Sequence, residues 1–259
     1  MALVERRHEG PVSHLLLTRP ERRNAMSVAM LEELARGLDE AEERGARVVV
    51  FRGAGGHFCA GGDIADMQAA ASAPRGDDGD PIAQMNRRFG TMLERVAAFE
   101  MATVAVCEGA VMGGGFGLAC VTDVALAGPT ARFRLPETSL GISPAQIAPF
   151  VVERLGTSQA RRLAVTGETL GATEALALGL VHLAPDDLDA ALASLLSRML
   201  RCEPGAVRAT KALVRSVGGR DVSGALDRAA ADFARLARRP EALQGMTAFL
   251  SREDPPWAN

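Results

Sequence analysis

The sequence predicts an α/β fold: a core of alternating strands and helices over residues 1–197, then a helical region over 198–259. Three observations carry this. Strand-like and helix-like stretches alternate through most of the chain, the pattern of a sheet covered by helices. The continuous apolar run Val48 to Phe51, ahead of the Gly53-Ala54-Gly55-Gly56 loop, reads as a strand buried on both faces. From about residue 186 onward, helices separated by Pro204, Gly218-Gly219 and Pro240 replace the alternation, and no convincing strand follows.

The elements follow in order. Val12 to Thr18 is a short β-rich run punctuated by Arg19-Pro20. Leu31, Leu34, Ala35, Leu38 and Ala41 recur at helical spacing, and Gly45 stops that helix. Residues 69–81, AAASAPRGDDGDP, hold few large apolar groups and read as a mobile loop. Ile82, Met85, Phe89, Met92, Leu93, Val96 and Phe99 then lie on one helical face. Thr103 to Cys107 is a strand, a glycine cluster follows, and Val121 to Ala127 is the next strand. In the tail, Leu188, Leu192, Leu195, Leu196, Met199 and Leu200 mark one amphipathic helix, and Leu213 to Val217 belongs to another.

Composition bounds the function. A chain of 259 residues buries enough apolar surface to fold without metals or disulfides. A net charge of -3 offers no basic footprint for nucleic acid. No apolar run is long enough to span a membrane, and MALVERRHEG lacks the apolar segment of a signal peptide. Cys59, Cys107, Cys120 and Cys202 are scattered, as expected of reduced thiols in a cytoplasmic protein, and Cys59 reads as a small packing residue. His8, His14, His57 and His182 share no ligand spacing, so no metal is expected.

Three segments carry chemistry. In His57-Phe58-Cys59-Ala60-Gly61-Gly62-Asp63-Ile64, the glycines permit close backbone approach, and Asp63 is placed to cap a helix. Alone, this reads as a glycine turn capping a helix. In Glu108 to Cys120, a strand runs into Gly113-Gly114-Gly115 and an apolar helix, whose N-terminus offers unpaired N–H donors. Those donors suit a phosphate or an oxyanion that develops in a transition state. The phosphate reading loosely imitates a dinucleotide fingerprint, but Gly117 is one residue short of the third glycine's place. In Ala131 to Ile142, Pro136 stiffens the approach to Glu137 among apolar neighbours. A carboxyl held this way has a raised pKa, suited to proton transfer near neutrality. A surface glutamate on a turn is the alternative.

Taken together, FCAGGDI, GGGFGLA and LPETSLGI, in this order and spacing, resemble the crotonase superfamily of enoyl-CoA hydratases and isomerases. The resemblance extends to Arg19-Pro20, Asn24-Ala25, Gly171 to Val181 and Gly245 to Leu250, nearly the whole chain. It implies a ββα superhelical core with a helical C-terminal region that packs a homotrimer or dimer of trimers. By resemblance, the N–H groups of Ala60 and Gly114 form an oxyanion hole for the thioester carbonyl of an acyl-CoA. Ala60, Gly61, Gly62, Asp63 and Ile64 hold the adenine, Arg22 and Arg23 reach the phosphates, and Glu137 is the acid/base. No further cofactor is implied, coenzyme A being part of the substrate.

One departure matters. Hydratases of this family commonly carry a second glutamate where this chain has Gly117, and no acidic residue lies between Gly109 and Thr122. Glu137 alone suffices for a Δ3,Δ2-enoyl-CoA isomerase. The run Pro144-Ala145-Gln146-Ile147-Ala148-Pro149-Phe150 resembles the branch acting on branched glutaconyl-CoA substrates such as isohexenylglutaconyl-CoA. There Gln146 orients water or a distal carboxylate, or else merely caps a turn. Hydratase chemistry is the leading expectation, isomerase the second, and a non-catalytic CoA-binding oligomer the third.

Overall fold

A computed structural model describes residues 2–74 and 80–216, with scattered positions between 240 and 258. The chain divides into two compact units, Met1–Phe99 with Thr103–Leu192 and Glu100–Ala102 with Ala193–Asn259. The division therefore falls at Leu192, against 197 expected from the sequence.

In the first unit, the main sheet has the order β1-β2-β3-β4-β6: β1 (Val4–Glu9), β2 (Val12–Leu17), β3 (Val48–Gly53), β4 (Ala102–Cys107) and β6 (Val124–Ala127). Strands β1 and β2 form an antiparallel hairpin, whereas β2 with β3 and β4 with β6 pair in parallel. A smaller sheet joins β5 (Ala110–Met112), β7 (Arg132–Arg134) and β8 (Thr169–Leu170). β1 does not stand out in the sequence. It is an edge strand whose segment, VERRHE, alternates in burial and buries only Val4 fully.

Helix α1 (Val28–Glu43) starts where Ser27 Oγ accepts the Met30 amide, and it buries Met30, Leu31, Leu34, Leu38 and Ala41. A Cβ on its Gly37 would lie 2.6 Å from Leu15 Cδ2, so the helix seats directly on β2. Helix α2 (Ile64–Ser72) is capped by Asp63, as its sequence predicts. Residues 69–72 continue α2, contrary to the expected loop, because a capped run of alanines is an intrinsically good helix. Residues 75–79 of that loop lie outside the described residues. Helix α3 (Pro81–Ala98) buries Gly90, Met92, Leu93 and Val96. Helix α4 (Gly114–Val121) is buried along most of its length, and it takes Val121, which the sequence pattern assigns to the following strand. Helices α5 (Ala148–Thr166), α6 (Ala172–Ala177) and the first part of α7 (Leu188–Met199) complete this unit.

In the second unit, α8 (Pro204–Ser216) is held by Lys211 Nζ donating to the Met101 carbonyl at 2.7 Å and by an Arg208–Glu100 ion pair. The Trp257 indole N–H donates to the Arg201 carbonyl at 2.8 Å. Gly218-Gly219 and, Ala248 apart, the Gly245 to Leu250 segment lie outside the described residues. Among the described residues, no helix is long and apolar enough to cross a membrane.

Candidate active site

Backbone pairing brings two distant glycine segments together. After β3, Cys59 pairs with Val111 of β5: Cys59 N–H donates to the Ala110 carbonyl and Met112 N–H to the Cys59 carbonyl, both at 2.9 Å. This stitching carries Gly61 against the start of α4. Gly61 adopts φ +103°, and a Cβ there would stand 3.2 Å from the Met112 carbonyl oxygen and 3.6 Å from the Gly114 nitrogen. At Gly115 a Cβ would meet the Cys59 carbonyl oxygen at 2.4 Å, so glycine is required by closeness rather than by φ.

Two amides are left over. Gly114 is the first residue of α4, and its N–H has no acceptor among the described residues. On the facing loop, Met26 N–H donates to the Gly61 carbonyl at 2.8 Å and Asp63 N–H to the Met26 carbonyl at 3.0 Å. The Gly62 N–H between them also has no acceptor there. Ala60 differs from its predicted role. Its N–H donates to the Arg23 carbonyl at 2.9 Å, so it is not available to an oxyanion, and Ala60 does not line the cavity.

Glu137 opens a turn of 3-10 helix (Glu137–Leu140) after Pro136 and is buried, 8% exposed. Its Oε1 lies over Gly113, 2.8 Å from where a Cβ would stand. Its Oε2 is buried without a hydrogen-bond partner. Burial pushes the Glu137 carboxyl above the usual carboxylate range, and a hydrogen bond from its own backbone amide opposes this only partly. Behind it, Phe133 packs edge-to-face on Phe116 of α4.

Gly62, Gly114, Glu137 and Gln146 all line one cavity of about 330 Å³. Its apolar wall includes Met26, Met67, Ile82, Met85, Phe89 and Ile147, and its polar lining includes Asp66, Asn86 and Ser143. Asp66 is committed elsewhere, accepting the Val28 amide at 3.0 Å. The α3 residues among these share one apolar helical face by their spacing, and Ile82 is 36% exposed because it faces the cavity. Asn86 lies on the same stretch of helix. No sequence signal singles it out, since one amide among apolar residues is common at the edge of a helical face.

The other expected residues fall around this cavity. Asp63 lines it, but its carboxylate is paired with Arg19 at 2.8 Å and caps α2 through the Ala65 amide at 2.9 Å. Gly61 is buried behind the wall, and Ile64 is 49% exposed. Arg22 and Arg23 are exposed on the turn beginning at Pro20 and do not line the cavity. Gln146 caps nothing: α5 begins after Ile147 with no side-chain cap. Gly117 is also outside the cavity lining, and a Cβ there would press on Ile147 Cγ2 at 3.0 Å and Leu93 Cδ1 at 3.2 Å. Cys59 is buried, and desolvation pushes its thiol up to about 12. Among the described residues, no group of three or more potential ligands is placed to hold a metal.

The enoyl-CoA hydratase/isomerase family model matches residues 7–259. The chain belongs to that family. It is 32% identical over 245 residues to 2,3-dehydroadipyl-CoA hydratase of Escherichia coli, covering 93% of this chain and 92% of that one. It is 30% identical over 260 residues to the enoyl-CoA isomerase/hydratase fer4 of Mycosarcoma maydis, covering 94% and 91%. Among solved structures, an enoyl-CoA hydratase/isomerase from Marinobacter aquaeolei superposes with a TM-score of 0.94 at 48% identity, covering 99% of each chain. Pseudomonas aeruginosa AtuE superposes with a TM-score of 0.94 at 46% identity over the whole of both chains. The fold is the crotonase fold, and the family places this chain among enzymes that act on acyl-CoA thioesters.

Proposed function

We propose that this family member hydrates a 2-enoyl-CoA, with Glu137 as the acid/base and the Gly62 and Gly114 amides as the oxyanion hole. The observation that carries this is an unpartnered, buried carboxylate oxygen sharing a cavity with two unpaired backbone donors. Among the described residues, nothing else in the fold consumes those three groups. Both donors belong to rigid backbone, so they need no reorganisation as the thioester oxygen gains charge. Loss of one such donor typically costs about 3 to 4 kcal/mol of barrier.

The proton balance closes with one carboxylate. Glu137 takes a proton from water as the water oxygen bonds to C3, and the displaced π electrons become the enolate held by the two amides. The protonated carboxyl then returns that proton to C2, so the net change is addition of one water. Its raised pKa suits both halves of the exchange. In this reading the loop from Ala60 to Ile64 holds the CoA adenine, and the exposed Arg22 and Arg23 reach its phosphates. The helical region packing a trimer or dimer of trimers is part of the same reading, as is a branched glutaconyl-CoA substrate.

Δ3,Δ2-isomerisation is the second reading, and Gly117 is the observation that favours it. Among the described residues, no carboxylate lines the cavity beside Glu137 except Asp63 and Asp66, both already engaged. Incubation with crotonyl-CoA, 3-hexenoyl-CoA and a branched glutaconyl-CoA separates the two. Loss of conjugated enoyl absorbance supports hydration. A gain of that absorbance from the 3-enoyl substrate alone supports isomerisation, and acyl-CoA binding without turnover of any of the three rejects both.

A further inference from the structure

The turn 144–147 docks on two glycines that belong to two different helices. Ile147 lies against Gly117 of α4, its Cγ2 3.0 Å from where a Cβ would stand. Its neighbour Gln146 lies against Gly90 of α3, where a Cβ would meet Oε1 at 2.0 Å and Cδ at 2.8 Å. Gly90 sits inside an 18-residue helix without a left-handed φ. A glycine there weakens the helix relative to alanine. Backbone conformation does not require it, whereas the Gln146 carboxamide does.

That carboxamide lines the cavity with Glu137 and has no hydrogen-bond partner among the described residues. Arg87 Nη1 is also 3.0 Å from the vacant Cβ position, so the space beside the amide is closed on that flank. With Ile147 seated on Gly117 and Gln146 on Gly90, one short turn fills the space beside α4 and delivers a neutral amide to the cavity.

We infer that Gly90 is a positioning residue for hydration: its missing side chain seats the Gln146 carboxamide, which hydrogen-bonds the attacking water that Glu137 deprotonates. This rests on the hydratase reading above. An amide donates and accepts at once, so it holds a water's lone pair or proton without competing for the proton that Glu137 moves. Gly90→Ala places a methyl group inside the contact radius of Oε1, and the amide must leave its seat.

The test is a double-mutant cycle on the purified full chain with crotonyl-CoA, reading kcat, KM and thermal midpoint for Gly90→Ala, Gln146→Ala and both together. Each single change is expected to lower kcat for hydration about tenfold, the worth of one ordinary hydrogen bond, with KM nearly constant. The double variant is expected to lose no more than Gln146→Ala alone, because the seat has no function without its occupant. Gln146→Asn, one methylene shorter, is expected to restore part of the rate in the Gly90→Ala background. Losses that multiply in the double variant, or a Gly90→Ala loss that follows the thermal midpoint instead of Gln146, overturn the positioning role while leaving hydration intact. Absence of hydration of both crotonyl-CoA and a branched glutaconyl-CoA in the unsubstituted chain overturns the hydratase reading, and this inference with it.

Discussion

Glu137→Gln tests the site most directly. The substitution keeps the side chain's size and removes one charge. In the structure, Oε2 has no partner to lose and the group is 8% exposed. Chemistry and stability therefore move in opposite directions. General acid–base catalysis contributes about 10²- to 10⁴-fold. At about 1.36 kcal/mol per decade, kcat should fall by an equivalent of about 2.7 to 5.4 kcal/mol. For stability, burial raises the folded-state pKa of Glu137 above its ordinary value of 4.5. A carboxyl raised in this way binds its proton more tightly folded than unfolded. Its contribution is thus fully present below the unfolded value and is lost as pH rises through the folded one. Glutamine does not titrate, so the variant should be at least as stable as the parent at neutral pH, with the margin growing as pH rises across that window. The parent's kcat/KM should rise with pH through an apparent pKa above 4.5, and this limb should vanish in the variant. Stopped-assay rates and thermal melts from pH 4 to 9 check both. An unchanged rate, or a variant clearly less stable at neutral pH, refutes the placement of an unpaired catalytic carboxylate here.

Three further outcomes are expected. Asn24 is fully buried at φ +58°, accepts the Arg19 amide at 2.9 Å and donates to the Ala54 and His57 carbonyls at 2.9 and 2.6 Å. Asn24→Ala strands these groups and should cost about 3 to 5 kcal/mol in denaturant unfolding. Gly117→Glu should not create a working second carboxylate, because its Cβ points at Ile147 and Leu93: a stability loss of about 1 to 3 kcal/mol by melting, with no gain in crotonyl-CoA hydration, is expected. Desolvation holds the Cys59 and Cys120 thiols up at about 12 and Cys107 still higher, whereas Cys202 is exposed. Alkylation of the native chain at pH 8 should therefore label Cys202 alone, and mass spectrometry of the denatured chain all four.

Much of the fold is legible in the residues alone. The helical face of α1, the cap at Asp63 and the buried run of β3 appear where periodicity and local chemistry place them. Strand β1 and the short β5, β7 and β8 are not legible. The first is polar along one edge, and the others have two or three residues each, too few to show a period. Glu137 stands out as a candidate only through the resemblance that the three segments carry together, because its own neighbours also suit a surface glutamate on a turn. The oxyanion donor is not legible: resemblance points to Ala60, two residues before the unpaired amide of Gly62. Which amide stays unpaired depends on the Arg23 carbonyl and on the Met26 pairing, and both lie more than thirty residues away in the chain.

By itself, the sequence determined the family, the α/β character of the core and the presence of a single candidate acid/base at Glu137, since each follows from residue types at fixed local spacing. The tertiary structure alone decided which N–H groups remain free, what fills the space beside Gly117, and that Gln146 rests on Gly90. Those are close approaches between segments tens of residues apart. A missing Cβ becomes informative only when the atom that occupies its place is known.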